Sequence, residues 1–151
     1  DVPFLLRGGL CLATGIGDQL QPLVTPISTT PVTLLFPGVP VATPDAYRWL
    51  DQDGLDRDTK GPAHLAQMIN ELTNGSGNFI KHVYNGFDRP VCRRAPEVQS
   101  AFDAAQRAGL RPLLCGSGST VAAFGDADAD HPALAEFQPL RTELLGFKGG
   151  Y

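Results

Sequence analysis

Two apolar segments of strand length, residues 110–115 and 120–124, are joined by the small residues Gly116-Ser117-Gly118-Ser119. Glycine allows the backbone to reverse within a few residues, so this order predicts a β-hairpin with the small residues at its tip. Any fold of this chain must then contain an antiparallel strand pair. The hairpin is the strongest local constraint that the sequence offers.

The segment Cys115–Thr120, called the glycine loop below, also suits an anion. Successive N–H groups in such a turn can form a nest, and the lack of bulky side chains lets a phosphate approach the backbone. However, the segment is neither a P-loop nor a complete dinucleotide-binding motif. The residues alone favour a tight turn over a phosphate site.

A helix is predicted to begin at Thr43-Pro44-Asp45. Thr43 is predicted to be its N-cap, Pro44 suits the first helical position, and Asp45 places an acid in the first turn. Tyr47 shares a side of this helix with Leu50, so core packing is the simplest role for its ring.

Two further helices show the spacing of one buried face. The first begins at Pro62, and the second runs over 96–108 and ends at Gly109. Their predicted core residues are Leu65, Met68, Ile69 and Leu72 in the first and Val98, Ala101, Phe102 and Ala105 in the second.

The remaining segments complete an α+β pattern. Strands are predicted at 10–14, 32–36 and 140–147, and a helix at 132–137. No internal repeat or change of composition divides the chain. The pattern predicts one antiparallel sheet with helices packed mainly on one face.

Composition excludes several classes of protein. The net charge of −4 over 151 residues argues against a nucleic-acid binder, which needs a basic patch. No apolar run approaches the roughly 18 residues of a membrane span. Cys11, Cys92 and Cys115 are widely spaced and odd in number, which favours a reducing, cytoplasmic location over a disulfide framework. The three histidines lack ligand-like spacing, so no metal site is predicted.

Asp1 has two interpretations from its neighbours alone. A carboxylate before Val2-Pro3-Phe4 could cap a helix or act as a general base, and the residues favour the cap. Because the sequence begins without Met, we expect that a segment upstream has been removed.

Six short motifs, taken in order, resemble the 4-diphosphocytidyl-2-C-methyl-D-erythritol kinases, a family of GHMP kinases. None is specific alone, but their order and spacing extend over nearly the whole chain and match the C-terminal half, or somewhat more, of the family. The motifs are Asp1-Val2-Pro3-Phe4 with Gly8-Gly9, Ala13-Thr14-Gly15-Ile16-Gly17-Asp18, Pro37-Gly38-Val39, Thr43-Pro44-Asp45-Ala46-Tyr47, Asn85-Gly86-Phe87-Asp88 and Gly116-Ser117-Gly118-Ser119-Thr120-Val121.

The resemblance implies a fold and an activity. Residues 32–151 would form the GHMP-kinase C-terminal domain, and residues 1–31 the end of the N-terminal kinase domain and the connection. The activity would be transfer of the γ-phosphate of ATP, with Mg²⁺, to the 2-hydroxyl of a cytidine diphosphate-linked methylerythritol in non-mevalonate isoprenoid biosynthesis. The partner would be this small molecule, with no nucleic acid or membrane involved.

The resemblance also implies roles for individual residues. Asp1 would be the catalytic base for the hydroxyl, and Tyr47 would stack on the cytosine beside Thr43 and Pro44. The residues expected near the phosphates are Gly116, Ser117, Gly118, Ser119 and Thr120.

In the family, the ATP loop, the catalytic lysine and other cytosine contacts precede the residue that corresponds to Asp1. We therefore expect a kinase fragment that is inactive alone and needs the missing N-terminal half. Two alternatives stay open. One is a stand-alone small-molecule binding or regulatory module without catalysis, and the other is a structural α+β interaction domain.

Overall fold

A computed structural model of the chain describes residues 2–27, 29–54, 61–126 and 131–145. No helix in these ranges is long and apolar enough to cross a membrane. The elements, in chain order, are α1 (Val2–Arg7), β1 (Cys11–Thr14), β2 (Gln19–Pro22), β3 (Thr29–Leu35), α2 (Thr43–Asp53), α3 (Gly61–Thr73), a 3₁₀ helix (Gly77–His82), α4 (Asp88–Cys92), α5 (Pro96–Arg107), β4 (Arg111–Leu114), β5 (Val121–Phe124), a second 3₁₀ helix (Pro132–Phe137) and β6 (Leu140–Leu145).

The strands form two antiparallel sheets. β1 and β2 make a separate hairpin, and the main sheet has the strand order β4-β5-β3-β6. In the main sheet, Val121 of β5 lies opposite both Leu114 of β4 and Leu35 of β3, and Leu34 lies opposite Leu140 of β6. The predicted α+β class and the predicted hairpin of β4 and β5 are confirmed.

Both faces of the main sheet are covered. Along β5, Val121 and Ala123 belong to a large cluster with residues of α2, α4, α5 and the second 3₁₀ helix. Ala122 and Phe124 belong to a smaller cluster with residues of α3 and the first 3₁₀ helix. Because successive strand residues point to opposite faces, the two clusters lie on opposite sides of the sheet. Most of the helices thus pack on one face, as the sequence predicted.

Helix α5 follows its sequence pattern closely. Val98, Ala101 and Ala105 are buried, as predicted. The helix ends in a Schellman motif, in which Leu110 N–H donates to the carbonyl of Ala105 at 2.9 Å. Gly109, which follows the last helical turn, has a φ of 75°, a conformation that glycine adopts without steric cost.

Helix α2 begins differently from the prediction. Its N-cap is Ala42, which makes no side-chain cap bond, and Thr43 is already helical, with Pro44 as the second helical residue. The prediction of Thr43 as the N-cap is therefore wrong. The physical reason is that the Thr43 hydroxyl bonds to a residue distant in sequence instead of to its own helix, as described below.

Helix α3 buries less of its apolar face than the sequence predicted. Leu72 is buried and Met68 and Ile69 are half-buried, but Leu65 is 41% exposed. The apolar cluster under α3 includes Met68 and Leu72, which lie in its last two turns. A helical apolar stripe predicts a face, but it does not predict how far along the helix the covering layer extends.

Replacing Leu35 tests the large cluster, because Leu35 has no exposed surface. Leu35→Ala should lower the free energy of unfolding by about 2–5 kcal/mol, through lost burial and the cavity left behind. Leu140, which is 53% exposed on β6, is the matched control, and Leu140→Ala should change stability by less than about 0.5 kcal/mol. Urea denaturation measures the free energy of unfolding of both variants. Equal losses in Leu35→Ala and Leu140→Ala would show that Leu35 is not a core residue.

Candidate functional site

The glycine loop forms the tip of the hairpin between β4 and β5. Cys115 N–H donates to the carbonyl of Thr120, and Gly118 N–H donates to the carbonyl of Cys115, each at 2.9 Å. Gly116 and Gly118 have φ values of 57° and 97°, which favour glycine. A Cβ at Gly118 would lie 3.1 Å from Leu114 Cδ1, so a side chain there would also crowd the core.

The N-terminus of α2 lies against this loop. The Thr43 and Ser117 hydroxyl oxygens are 2.9 Å apart and share a hydrogen bond, although the two residues are 74 positions apart in sequence. The structure thus brings together two segments that the sequence singled out separately. This contact also explains why Thr43 does not cap its own helix.

Tyr47 lies on the first turns of α2 and is 56% exposed. Its ring makes a T-shaped contact with the ring of Phe87, with the ring centroids 4.9 Å apart and the ring planes at 85°. The simplest expectation for Tyr47, a core side chain, is therefore wrong. An exposed aromatic ring held by a neighbouring ring has surface available for stacking on a planar ligand group.

No role was predicted for Asn85, yet its side chain bonds to the glycine loop. Its Nδ2 donates to the carbonyls of Leu114 and Gly116, both at 2.8 Å, and its Oδ1 accepts from Phe87 N–H at 3.0 Å. The only sequence signal was its membership of the motif Asn85-Gly86-Phe87-Asp88. These two carbonyl partners, at the end of β4 and in the glycine loop, are 29 and 31 positions away, beyond the reach of local patterns.

Asp88 also bonds to the backbone of Leu114. Its Oδ1 accepts from Leu114 N–H at 2.9 Å. Burial raises the pKa of Asp88 to about 6, while the hydrogen bond from Leu114 and the charge of Arg111 act in the opposite direction. Both backbone polar groups of Leu114, the last residue of β4, are thus bonded to this segment.

Cys115, the first residue of the glycine loop, has a free thiol. Burial of the thiol raises the pKa of Cys115 above its usual value, and a backbone hydrogen bond with Ala122 only partly offsets this effect. The thiol is therefore protonated at neutral pH.

The described ranges contain no group of three or more His, Cys, Asp and Glu side chains that could hold a metal ion. The glycine loop instead offers backbone N–H groups and the hydroxyls of Ser117, Ser119 and Thr120, a donor set that suits a phosphate. Asp1, the predicted base, lies outside the described residues.

No protein-family model matches the chain. Curated proteins do match. A 4-diphosphocytidyl-2-C-methyl-D-erythritol kinase of Deinococcus radiodurans is 36% identical over 145 residues, and the match covers 92% of this chain and 46% of the relative. The enzyme of the same name from Persephonella marina is 31% identical over 130 residues, covering 86% of this chain and 45% of the relative.

Solved structures agree with these matches. A crystal structure of 4-(cytidine 5'-diphospho)-2C-methyl-D-erythritol kinase superposes with a TM-score of 0.69 and 27% identity, over 97% of this chain and 54% of that chain. The chain therefore resembles about half of such a kinase. The resemblance first drawn from the six motifs is confirmed.

Two further kinase structures, each less than 25% identical to this chain, support the fold alone. A homoserine kinase from Cytophaga hutchinsonii has a TM-score of 0.71 at 18% identity and is covered to 50% of its length. The mevalonate kinase of L. major has a TM-score of 0.63 at 13% identity and is covered to 51%. The α+β fold of this chain is thus also found in a homoserine kinase and a mevalonate kinase. The chain spans about half the length of the curated relatives it matches.

The raised pKa of Asp88 predicts a pH-dependent stability. Burial raises the pKa of Asp88 in the fold to about 6 from 3.8, so the folded state binds this proton more tightly than the unfolded state does. The resulting stabilisation is complete below about pH 4 and is lost as the pH rises through about 6. Asp88→Asn keeps an oxygen that can accept from Leu114 N–H but does not titrate. Its melting temperature should therefore fall less than that of the wild type between about pH 4 and 7.

The matched control is Asp103→Asn. Asp103 is an exposed carboxylate on α5 that accepts from Gln99. This variant should retain the wild-type pH profile in thermal melts. An unchanged profile in Asp88→Asn would show that the Asp88 carboxyl is not desolvated in the fold.

Proposed function

We propose that the chain is the C-terminal part of an ATP-dependent kinase that phosphorylates the 2-hydroxyl of 4-diphosphocytidyl-2-C-methyl-D-erythritol in non-mevalonate isoprenoid biosynthesis. The observation that carries the proposal is the hydrogen bond between Thr43 and Ser117, which places the predicted base-binding helix against the predicted phosphate loop. The proposed substrate is taken from the names of the related kinases. In this proposal residues 32–151 form the C-terminal domain, and residues 1–31 end the preceding domain and connect the two.

Each part of the site then has one task. The exposed ring of Tyr47 stacks on the cytosine, and Thr43 and Pro44 form the adjoining wall. The glycine loop donates backbone N–H groups to phosphate oxygens. Asp1 accepts the proton of the reacting hydroxyl as a general base.

ATP supplies the phosphoryl group, and Mg²⁺ neutralises charge on it. The glycine loop is the part of this chain that fits a phosphate group. In phosphoryl-transfer sites Mg²⁺ is usually held by one or two carboxylates together with the substrate phosphates.

The first elements of the chain present a surface suited to the rest of the kinase. None of the residues of α1 is buried, and Val2, Leu5 and Leu6 are 67%, 75% and 85% exposed. Ile16, in the turn between β1 and β2, is 95% exposed. Large apolar side chains that are left exposed are typical of a protein interface. We propose that the N-terminal half of the kinase packs here.

The proposal predicts the activity of the separate parts. The chain alone should not phosphorylate the diphosphocytidyl substrate measurably, because positioning of the γ-phosphate needs the nucleotide site of the other half. Activity should return when the N-terminal half is supplied, either covalently joined or mixed in. An assay of ADP release with purified proteins tests this, and sustained turnover by the chain alone would contradict the division of tasks.

Tyr47 tests the base site within the complete kinase. Tyr47→Ala should lose about 1–3 kcal/mol of CDP binding, the usual contribution of a base stacked on an aromatic ring, and Tyr47→Phe should bind nearly as the wild type does. Titration calorimetry measures both. Tyr84, which is 67% exposed, is the matched control, and Tyr84→Ala should leave CDP affinity unchanged. Unchanged affinity in Tyr47→Ala would remove Tyr47 from the site.

A further inference from the structure

The segment Asn85–Asp88 contacts both parts of the proposed site. On one side, Asn85 and Asp88 bond to the backbone where β4 enters the glycine loop, at the N–H and carbonyl of Leu114 and the carbonyl of Gly116. The Leu114 side chain is only 1% exposed, so this attachment point is itself fixed in the core. The start of the loop therefore cannot move independently of residues 85–88.

On the other side, the same segment supports the aromatic ring on α2. The edge contact between Phe87 and Tyr47 has a centroid distance of 4.9 Å. Phe87 is in turn fixed by Asn85, whose Oδ1 accepts from the Phe87 N–H. One amide side chain thus bonds to the glycine loop and to the residue that supports Tyr47.

A third contact closes the ring of interactions. Helix α2 reaches the glycine loop directly through Thr43 and Ser117. The helix, the loop and the segment 85–88 therefore touch one another pairwise. Asn85, Phe87 and Asp88 are each half-buried, so water competes less for these hydrogen bonds than at an open surface.

We propose that Asn85, Phe87 and Asp88 are positioning residues that set the separation between the glycine loop and Tyr47, so that one ligand with an aromatic base and a phosphate contacts both. The inference rests on the proposed function and adds to it the residues that control how the two subsites are matched. Asn85 acts through the loop and Phe87 acts through Tyr47.

The chemistry of Asn85 makes the inference testable. A neutral amide provides two N–H donors and an acceptor, which is the set that this position uses. An ionised carboxylate keeps the acceptor but has no donor, so Asn85→Asp removes the bonds to Leu114 and to Gly116 of the loop. It also faces these two carbonyl oxygens with a negative charge. The bond to Phe87 N–H is retained.

The experiment compares cytidine with CDP in titration calorimetry on the complete kinase. Cytidine tests the Tyr47 side, and CDP tests both sides. Asn85→Asp should weaken CDP binding about 10-fold, as expected from two lost hydrogen bonds, and leave cytidine binding within about 2-fold of the wild type. Phe87→Leu should weaken both ligands by the same factor, about 3-fold to 10-fold, because the support of Tyr47 is lost.

Asn74→Asp is the matched control, since the Asn74 amide donates to Asn70 on α3 and has no contact with the loop. It should bind both ligands as the wild type does. Equal losses of cytidine and CDP binding in Asn85→Asp, or no loss of either, would overturn the positioning role. If thermal melts show that Asn85→Asp does not fold, Asn85→Ser is measured in its place. Phe87→Leu tests the support of Tyr47 independently.

Wild-type protein that binds neither ligand would overturn the proposed function, and this inference with it. If the wild type binds CDP more tightly than cytidine but Asn85→Asp weakens the binding of both ligands equally, the positioning role alone is overturned. The two failures are therefore distinguishable.

Discussion

Burial of β5 on both of its faces is the constraint on which the rest of the structure depends. All four of its residues, Val121–Phe124, are buried, alternately in the two clusters. A shift of one residue in its pairing would exchange the small Ala122 and the larger Val121 between layers of different shape. The register of β4 and β5 is therefore set by packing, and the position of the glycine loop at their junction follows from it.

The shape of the glycine loop is local, but its placement is not. Two positive-φ glycines and two backbone hydrogen bonds define the turn within residues 115–120. The contacts that orient it toward α2 come from Thr43, Asn85 and Asp88, which lie far away in sequence. A hairpin becomes a candidate binding site here because other segments hold it against an exposed aromatic ring.

The sequence predicted those features whose cause lies within a few residues. The end of α5 at Gly109 and the hairpin of β4 and β5 were correct because a glycine at a turn leaves the backbone few other choices. Thr43 was misassigned because a tertiary partner competes for its hydroxyl. Helix α4, with five residues, is too short to show a helical period and was not predicted.

The site itself was predicted only in part. Order and spacing of motifs identified the two segments that carry Thr43, Tyr47 and the glycine loop, but no pattern near Asn85 indicated its partners 29 and 31 positions away. The extent of a covering layer is equally invisible to periodicity, as the exposed Leu65 shows. Such features depend on distances that exist only after the chain has folded.

The raised pKa of Cys115 has an electrostatic and a chemical consequence for the loop that it begins. A thiolate there would repel an incoming anion, whereas the neutral thiol adds no charge beside the backbone N–H groups. Although Cys115 is an exposed residue, alkylating agents and oxidants attack the thiolate, so the raised pKa slows both reactions. A cysteine at this position thus adds no negative charge to a loop that is proposed to receive an anion.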